Sequence, residues 1–356
     1  MSRDGAGRAR RDEASVAAGP GAGPTAITPA RGAPSGRVLL PWRTLPFPVD
    51  WEAVFGASGP LHVEVGFGDG RFTVRRALQE PRARFVGLEV SSGSVQRALR
   101  NVRRHGVTNV RVAKVGAEFA LRHLFDLASV ASIVVNFPDP WPKARHEKNR
   151  LLRPGFLRLA ADRLVPGGEV RLATDHPDYL EFARANAAAT GLYEELRPPP
   201  PPAVFETKYA LKWREQGKPL HYVVFRYGGA PAPTFPHLER PTEMPHALLK
   251  GTLPASAELS KTVAEHGGGH VILHEAAAVM PGAGARGRWL VRATVDEPDL
   301  RQQLLVLVEQ RQPDEVIVRL ETFGDPIVTP AVRGAVHEVT EWLARGTDLE
   351  VAERNY

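Results

Sequence analysis

The 356-residue chain contains no cysteine, which excludes disulfides, thiolate nucleophiles and thiolate-bound zinc. No apolar run reaches the roughly 18 residues that a membrane span needs, and the N-terminus lacks the apolar stretch of a signal peptide. These absences point to a cytoplasmic protein with no membrane anchor. No repeat recurs along the sequence. The charge balance is 46 Lys and Arg against 40 Asp and Glu, a formal +6. It permits attraction to polyanions and equally suits a solvated basic surface.

What is present divides the chain into segments. Residues 1–36 are mostly Ala, Gly, Pro and Arg, too poor in large apolar side chains for burial to offset the entropy of ordering, so a disordered tail is expected. Residues 37–229 alternate short β-branched runs at 61–65, 84–90, 110–115, 133–136 and 169–174 with helical periodicity over 71–79, 93–105, 154–164 and 177–189. That alternation predicts an α/β domain with a mostly parallel sheet covered on both faces. Two further strands, 193–196 and 220–227, have no convincing helix between them and predict an antiparallel edge hairpin. Pro-rich residues 230–245 read as a linker. Residues 246–356 read as a small α+β domain, with helices near 255–265, 298–310 and 329–344 and strands at 271–279, 289–295 and 315–322.

The first strand runs into Glu64-Val65-Gly66-Phe67-Gly68-Asp69-Gly70. Glycines at the carboxyl end of a buried strand let a ligand approach the backbone, and the next helix offers free N–H groups. A dinucleotide fingerprint would need glycine at position 71, where Arg71 stands. The Glu-x-Gly-x-Gly-x-Gly spacing is instead that of S-adenosylmethionine-binding methyltransferases. Glu89 ends the second strand, where a carboxylate can accept hydrogen bonds from both ribose hydroxyls. Glu64 sits among apolar neighbours and would be costly to bury without a partner such as a cationic methionine group.

After the fourth strand comes Phe137-Pro138-Asp139-Pro140-Trp141, a turn that fixes Asp139 at the same end of the sheet. Lys143, Arg145, His146, Lys148 and Arg150 follow as a basic loop able to hold phosphates. Asp175 closes the fifth strand, either as a substrate contact or as the N-cap of the next helix. His266, His270 and His274 recur every four residues, but Gly267–Gly269 would break the helix that aligns them, so no metal site is expected.

Residues 61–227 resemble the tRNA (guanine-N7-)-methyltransferase family in the Glu-x-Gly-x-Gly turn, the Gly-x-Glu strand end, the Phe-Pro-Asp-Pro-Trp-x-Lys-x-Arg-His run and the later Thr-Asp. The resemblance implies a Rossmann-like class I S-adenosylmethionine-dependent methyltransferase acting on N7 of a guanosine in the variable loop of tRNA. It implies cofactor contacts from Glu64, Gly66, Gly68, Glu89, Gly116 and Asp139, with Asp139 between cofactor and guanine. Lys143, Arg145, His146, Lys148, Arg150, Asp175 and the Thr207-Lys208-Tyr209 segment would face the RNA. The chain departs from the family pattern at Gly116, where an Asp is usual, at Ala210, where a Glu is usual, and at Asn149, which interrupts the basic run. These departures keep open a second reading, a non-catalytic RNA-binding protein on the same scaffold. Monomer and homodimer are both compatible with the sequence.

Overall fold

The computed structural model describes residues 36–279 and 287–356. The tail read over 1–36 thus lies outside the described residues, apart from Gly36. The first unit contains α1 (Trp51–Phe55), β1 (Leu61–Val65), α2 (Arg71–Gln79), β2 (Arg84–Glu89), α3 (Ser92–His105), β3 (Val110–Lys114), α4 (Ala117–Leu124) and β4 (Val130–Asn136). It continues through α5 (Pro154–Arg163), β5 (Leu164–Thr174), α6 (Pro177–Thr190), β6 (Tyr193–Leu196), α7 (Pro202–Phe205), α8 (Lys208–Glu215) and β7 (His221–Tyr227).

The sheet order is β3-β2-β1-β4-β5-β7-β6. The strands from β3 to β5 pair in parallel, and β7 pairs antiparallel to both β5 and β6. This is the Rossmann-like arrangement with an antiparallel edge that the sequence predicts, but the expected helix-free hairpin is corrected: α7 and α8, too short to register in the periodicity, lie between β6 and β7. In the centre of the sheet β4 buries Val130, Ile133, Val134 and Val135 on its two faces, as burial under two helical layers demands, whereas β1 alternates Leu61, Val63 and Val65 with His62 and Glu64. In α3, Ser91 caps the first turn by accepting from Ser94 N–H at 3.3 Å, Gly106 ends the helix in the left-handed conformation, and Val95, Ala98, Leu99 and Val102 form the buried stripe. The helix α4 escaped the periodicity reading because it is short; Phe119, Ala120, Leu121 and Leu124 bury it.

The second unit comprises β8 (His246–Lys250), β9 (Thr262–His266), β10 (Gly269–Ala278), β11 (Arg288–Asp296), β12 (Arg301–Gln312), β13 (Glu315–Leu320), α9 (Pro330–Gly346) and β14 (Glu350–Asn355). Its antiparallel sheet, in the order β14-β8-β13-β12-β11-β10-β9, packs against α9 through Ala331, Val332, Ala335, Val336, Val339 and Leu343. Two expected helices are corrected. Residues 298–310 fall largely in β12, because an apolar run of Leu and Val completes ladders with β11 and β13 on either side, which outweighs its helical propensity. Residues 255–265 end in β9, which pairs with β10 across Gly267–Gly268.

The two units share a core, since Leu300 and Ile327 pack in the same cluster as Trp42 and Phe119. Arg122 pairs with Asp299 at 3.2 Å, and Arg43 donates to Gln302 Oε1 at 3.0 Å. Between the units Arg163, fully buried, donates to the carbonyls of Leu121, Arg122 and Phe235 and to Asp162 Oδ2. Asp162 in turn accepts from Phe235 N–H at 3.0 Å. This ionic staple ties residues 230–245 to α4 and α5. Arg163→Met would remove the cationic partner of buried Asp162, leaving it the Phe235 N–H alone, and the side-chain donor to the Leu121 and Phe235 carbonyls. It is expected to cost about 3–5 kcal/mol in a urea titration; a loss below about 1 kcal/mol would contradict the staple.

Candidate active site

The sheet order reverses between β1 and β4, and ligands of open α/β sheets bind outside the carboxyl ends of the strands at such a point. The loops that follow β1, β2, β4 and β5 carry most of the residues singled out in the sequence. After β1, Gly66 (φ 70°) and Gly68 (φ 58°) take left-handed conformations that disfavour other residues, and a Cβ at either would meet no atom within 4 Å. The turn therefore leaves an open side. Glu89 closes it from the next strand. One of its oxygens accepts from Val90 and Ser91 N–H at 2.8 and 2.9 Å, and the other from Gly68 N–H at 3.3 Å.

Below the turn Glu64 is buried. It accepts from the Thr73 hydroxyl of α2 and, at 3.0 Å, from Asn136 Nδ2 at the end of β4. Burial pushes its carboxyl up to about 7, with the two hydrogen bonds acting in the opposite direction. Among the described residues the buried Oδ1 of Asn136 has no hydrogen-bond partner. A carboxylate beside a free amide oxygen is an acceptor pair suited to an ammonium group. Asn136 was passed over as a site residue in the sequence, where it reads only as the last residue of a strand.

The Asp139 turn is strained. Phe137 (φ 51°) and Trp141 (φ 43°) occupy left-handed backbone that bulky residues rarely adopt, at a cost of about 1–3 kcal/mol each. Phe137 N–H donates to Ala173 O at 2.7 Å, anchoring the turn to β5. Between the two aromatics Asp139 is exposed. Arg150, read in the sequence as a phosphate contact, is instead buried beneath the turn. Its guanidinium donates to Pro140 O at 2.9 Å and lies 4.9 Å from the Phe182 ring centre. It therefore braces the turn. Lys143, Arg145 and Lys148 are exposed around the short 3-10 turn at 144–149, and His146 packs edge-on against Trp141.

Asp175 is not a helix cap: the N-cap of α6 is His176, without a side-chain bond, and Asp175 lies 3.6 Å from Lys218 Nζ. Thr207 is buried and caps α8 through Ala210 N–H, whereas Lys208 and Tyr209 are exposed. The Tyr209 ring lies 6.3 Å from Phe137 and 6.4 Å from Trp213, and Lys218 Nζ sits 3.6 Å over Trp213. This aromatic row, invisible in the one-dimensional pattern, joins the Asp139 turn to Asp175. Ala210 is buried. Gly116 begins α4 with an ordinary φ, and a Cβ there would stand 3.4 Å from the Asp299 carbonyl of the second unit. Nearby Glu118 is paired with Arg153 at 2.8 Å. His270 and His274 pair elsewhere, the latter with Thr294, while His266 meets His337 and Glu338.

Gly87 keeps the turn in place because a Cβ there would lie only 2.5 Å from the Phe67 ring. Gly87→Ala is expected to displace Phe67 and to weaken S-adenosylmethionine binding about tenfold or more, in line with overpacking costs of about 1–3 kcal/mol. Calorimetry giving the parent affinity would refute this role for Gly87.

Residues 58–223 match the family model described as a putative methyltransferase. The chain is 42% identical over 316 residues to the tRNA (guanine-N(7)-)-methyltransferase of Thermus thermophilus, an alignment covering 88% of this chain and 98% of that protein. It is 42% identical over 305 residues to the protein of the same name from Deinococcus radiodurans, covering 83% and 92%. The Thermotoga maritima protein is 31% identical over 305 residues, covering 83% and 93%. Alignments of this length take in the second sheet as well as the first, and the chain belongs to the tRNA (guanine-N(7)-)-methyltransferase family.

Proposed function

We propose that this chain transfers the methyl group of S-adenosylmethionine to N7 of a guanosine in tRNA. The observation that carries the reading is the convergence, at one end of the sheet, of an open glycine turn closed by Glu89, a buried Glu64–Asn136 acceptor pair and the strained turn presenting Asp139. When bound, the cofactor supplies an electrophilic methyl on a sulfonium. Glu89 would accept from its ribose hydroxyls, and Glu64 with Asn136 Oδ1 would hold its ammonium. The relatives carry the tRNA (guanine-N(7)-)-methyltransferase name over nearly their full length, and that supports the assignment of the substrate.

Guanine N7 bears a lone pair and no proton, so alignment is the main requirement and no strong base is needed. Asp139 would accept from a guanine donor group and offset the positive charge that grows on the purine. Tyr209, with Phe137 and Trp213 behind it, offers an aromatic face for stacking a base drawn out of the RNA. Lys143, Arg145, Lys148, Lys208 and Lys218 supply positive charge for neighbouring phosphates. Residues 37–229 would carry this chemistry, and residues 246–356 would brace α4, from whose start Gly116 faces the second unit. Among the described residues no helix is long and apolar enough to cross a membrane, and action in the cytoplasm fits a tRNA substrate.

The test is incubation with labelled S-adenosylmethionine and unmodified tRNA transcripts, followed by chemical cleavage at N7-methylguanosine. Cleavage at a single guanosine is expected. Asp139→Ala should lower kcat about a hundredfold or more while keeping most cofactor affinity; normal turnover in that variant would remove Asp139 from the mechanism.

A pH dependence follows from Glu64. Its carboxyl is raised to about 7 by burial, so in the free protein its stabilising contribution is full below the ordinary carboxylate range and is lost as pH rises through about 7. An ammonium partner needs the ionised form, and affinity for S-adenosylmethionine should therefore fall up to tenfold per unit as pH drops below about 7. Glu64→Gln should bind more weakly at pH 8 and show a flat profile from pH 5.5 to 8. A parent protein whose affinity is constant across that range would rule out the pairing.

A further inference from the structure

Away from the site, α2 and α3 enclose an open groove of about 630 Å³ that begins at Asp69 and Arg71 beside the glycine turn. We propose that this groove is a second RNA-docking surface, gripping the phosphate backbone of a helical arm of the tRNA; the proposal rests on the reading of the chain as a tRNA methyltransferase.

The charge distribution carries the argument. Among its fourteen residues α3 has Arg97, Arg100, Arg103, Arg104 and His105 but no carboxylate. Arg97, Arg100 and Arg104 recur at i, i+3 and i+7, and all three line the groove and are exposed. Arg71 and Arg75 face them from α2. Those two are matched by carboxylates, Arg71 with Asp69 at 2.8 Å and Arg75 with Glu206 at 3.5 Å. Among the described residues α3 has no corresponding partner: Arg97 donates to the Ser94 hydroxyl at 2.9 Å without an ion pair, and neither Arg100 nor Arg104 makes one. Like charges three and four residues apart on one helix face repel. The favourable interaction of cations with the helix C-terminus accounts for Arg103 and Arg104 in the last turn, but not for Arg97 and Arg100.

A polyanion lying in the groove would relieve that repulsion. Guanidinium groups pair bidentately with phosphate oxygens, and from Arg97 to Arg104 the helix spans about 10 Å, enough to meet more than one phosphate along a strand. A-form RNA is recognised largely through its shape and its backbone. The groove's other wall is Glu206 and Leu211 of the α7–α8 region, the same region that presents Lys208 and Tyr209 to the site. An RNA whose target base entered at Tyr209 could thus continue along α2 and α3.

The experiment compares the full-length protein with Arg100→Gln/Arg104→Gln and Arg100→Lys/Arg104→Lys variants. Binding of an unmodified tRNA transcript and of S-adenosylmethionine is measured between 50 and 200 mM salt, with melting curves as a check on folding. The Gln variant should bind tRNA about tenfold more weakly, with a shallower dependence of log affinity on log salt, while cofactor affinity is kept. The Lys variant should recover most of the loss. If the Gln variant binds tRNA with the parent affinity and salt slope, the groove is not a docking surface. If the parent itself binds no tRNA, the reading of function fails and this proposal with it.

Discussion

A carboxylate buried at the carboxyl ends of the central strands organises this molecule. Glu64 is held by Thr73 from α2 and by Asn136 from the end of β4, so one side chain joins the strand on each side of the topological switch to the helix that follows the glycine turn. Placing an acid there opposes folding at neutral pH, because burial favours its protonated form. The fold retains it where apolar residues would pack without that cost. The same burial makes Glu64 a strong partner for an ammonium group, since an ion pair in a dry site is weakly screened.

Strain and support are paired around the Asp139 turn. Phe137 and Trp141 hold unfavourable backbone angles on either side of Asp139, and such a turn persists only if its surroundings fix it. Arg150 does so from below with its bond to Pro140 O and its contact with Phe182, while the Phe137 N–H is anchored on β5. One residue of the basic run is therefore structural, and exposed members such as Lys143, Arg145 and Lys148 are left to meet solvent or RNA.

The second sheet is more than an appendage, because Leu300 and Ile327 belong to the core that covers α4. Arg163 fastens the intervening segment, and Asp299 reaches both Arg122 and the neighbourhood of Gly116. A larger side chain at position 116 would meet the Asp299 backbone. The glycine that breaks the family pattern is thus placed where the two units come together.

Much of this was legible in the order of residues. Strand and helix alternation outlined the first sheet, and the glycine turn was legible because left-handed backbone at Gly66 and Gly68 suits few other residues; Glu89 and Asp139 were legible as carboxylates at strand ends and turns on the same side of the sheet. Local pattern failed where partners are distant. The run that became β12 is a strand only because β11 and β13 flank it, and Arg150 and Thr207 looked like substrate contacts until burial assigned them to a brace and a helix cap. Asn136, Trp213 and Lys218 gained a place beside the site only through neighbours far along the chain. The sequence by itself determined the family, the first sheet and the residues that turn tightly or carry charge. Tertiary structure alone decided which of those charges face outward and which are consumed internally, because burial and hydrogen-bond partnership depend on contacts between segments that no local spacing encodes.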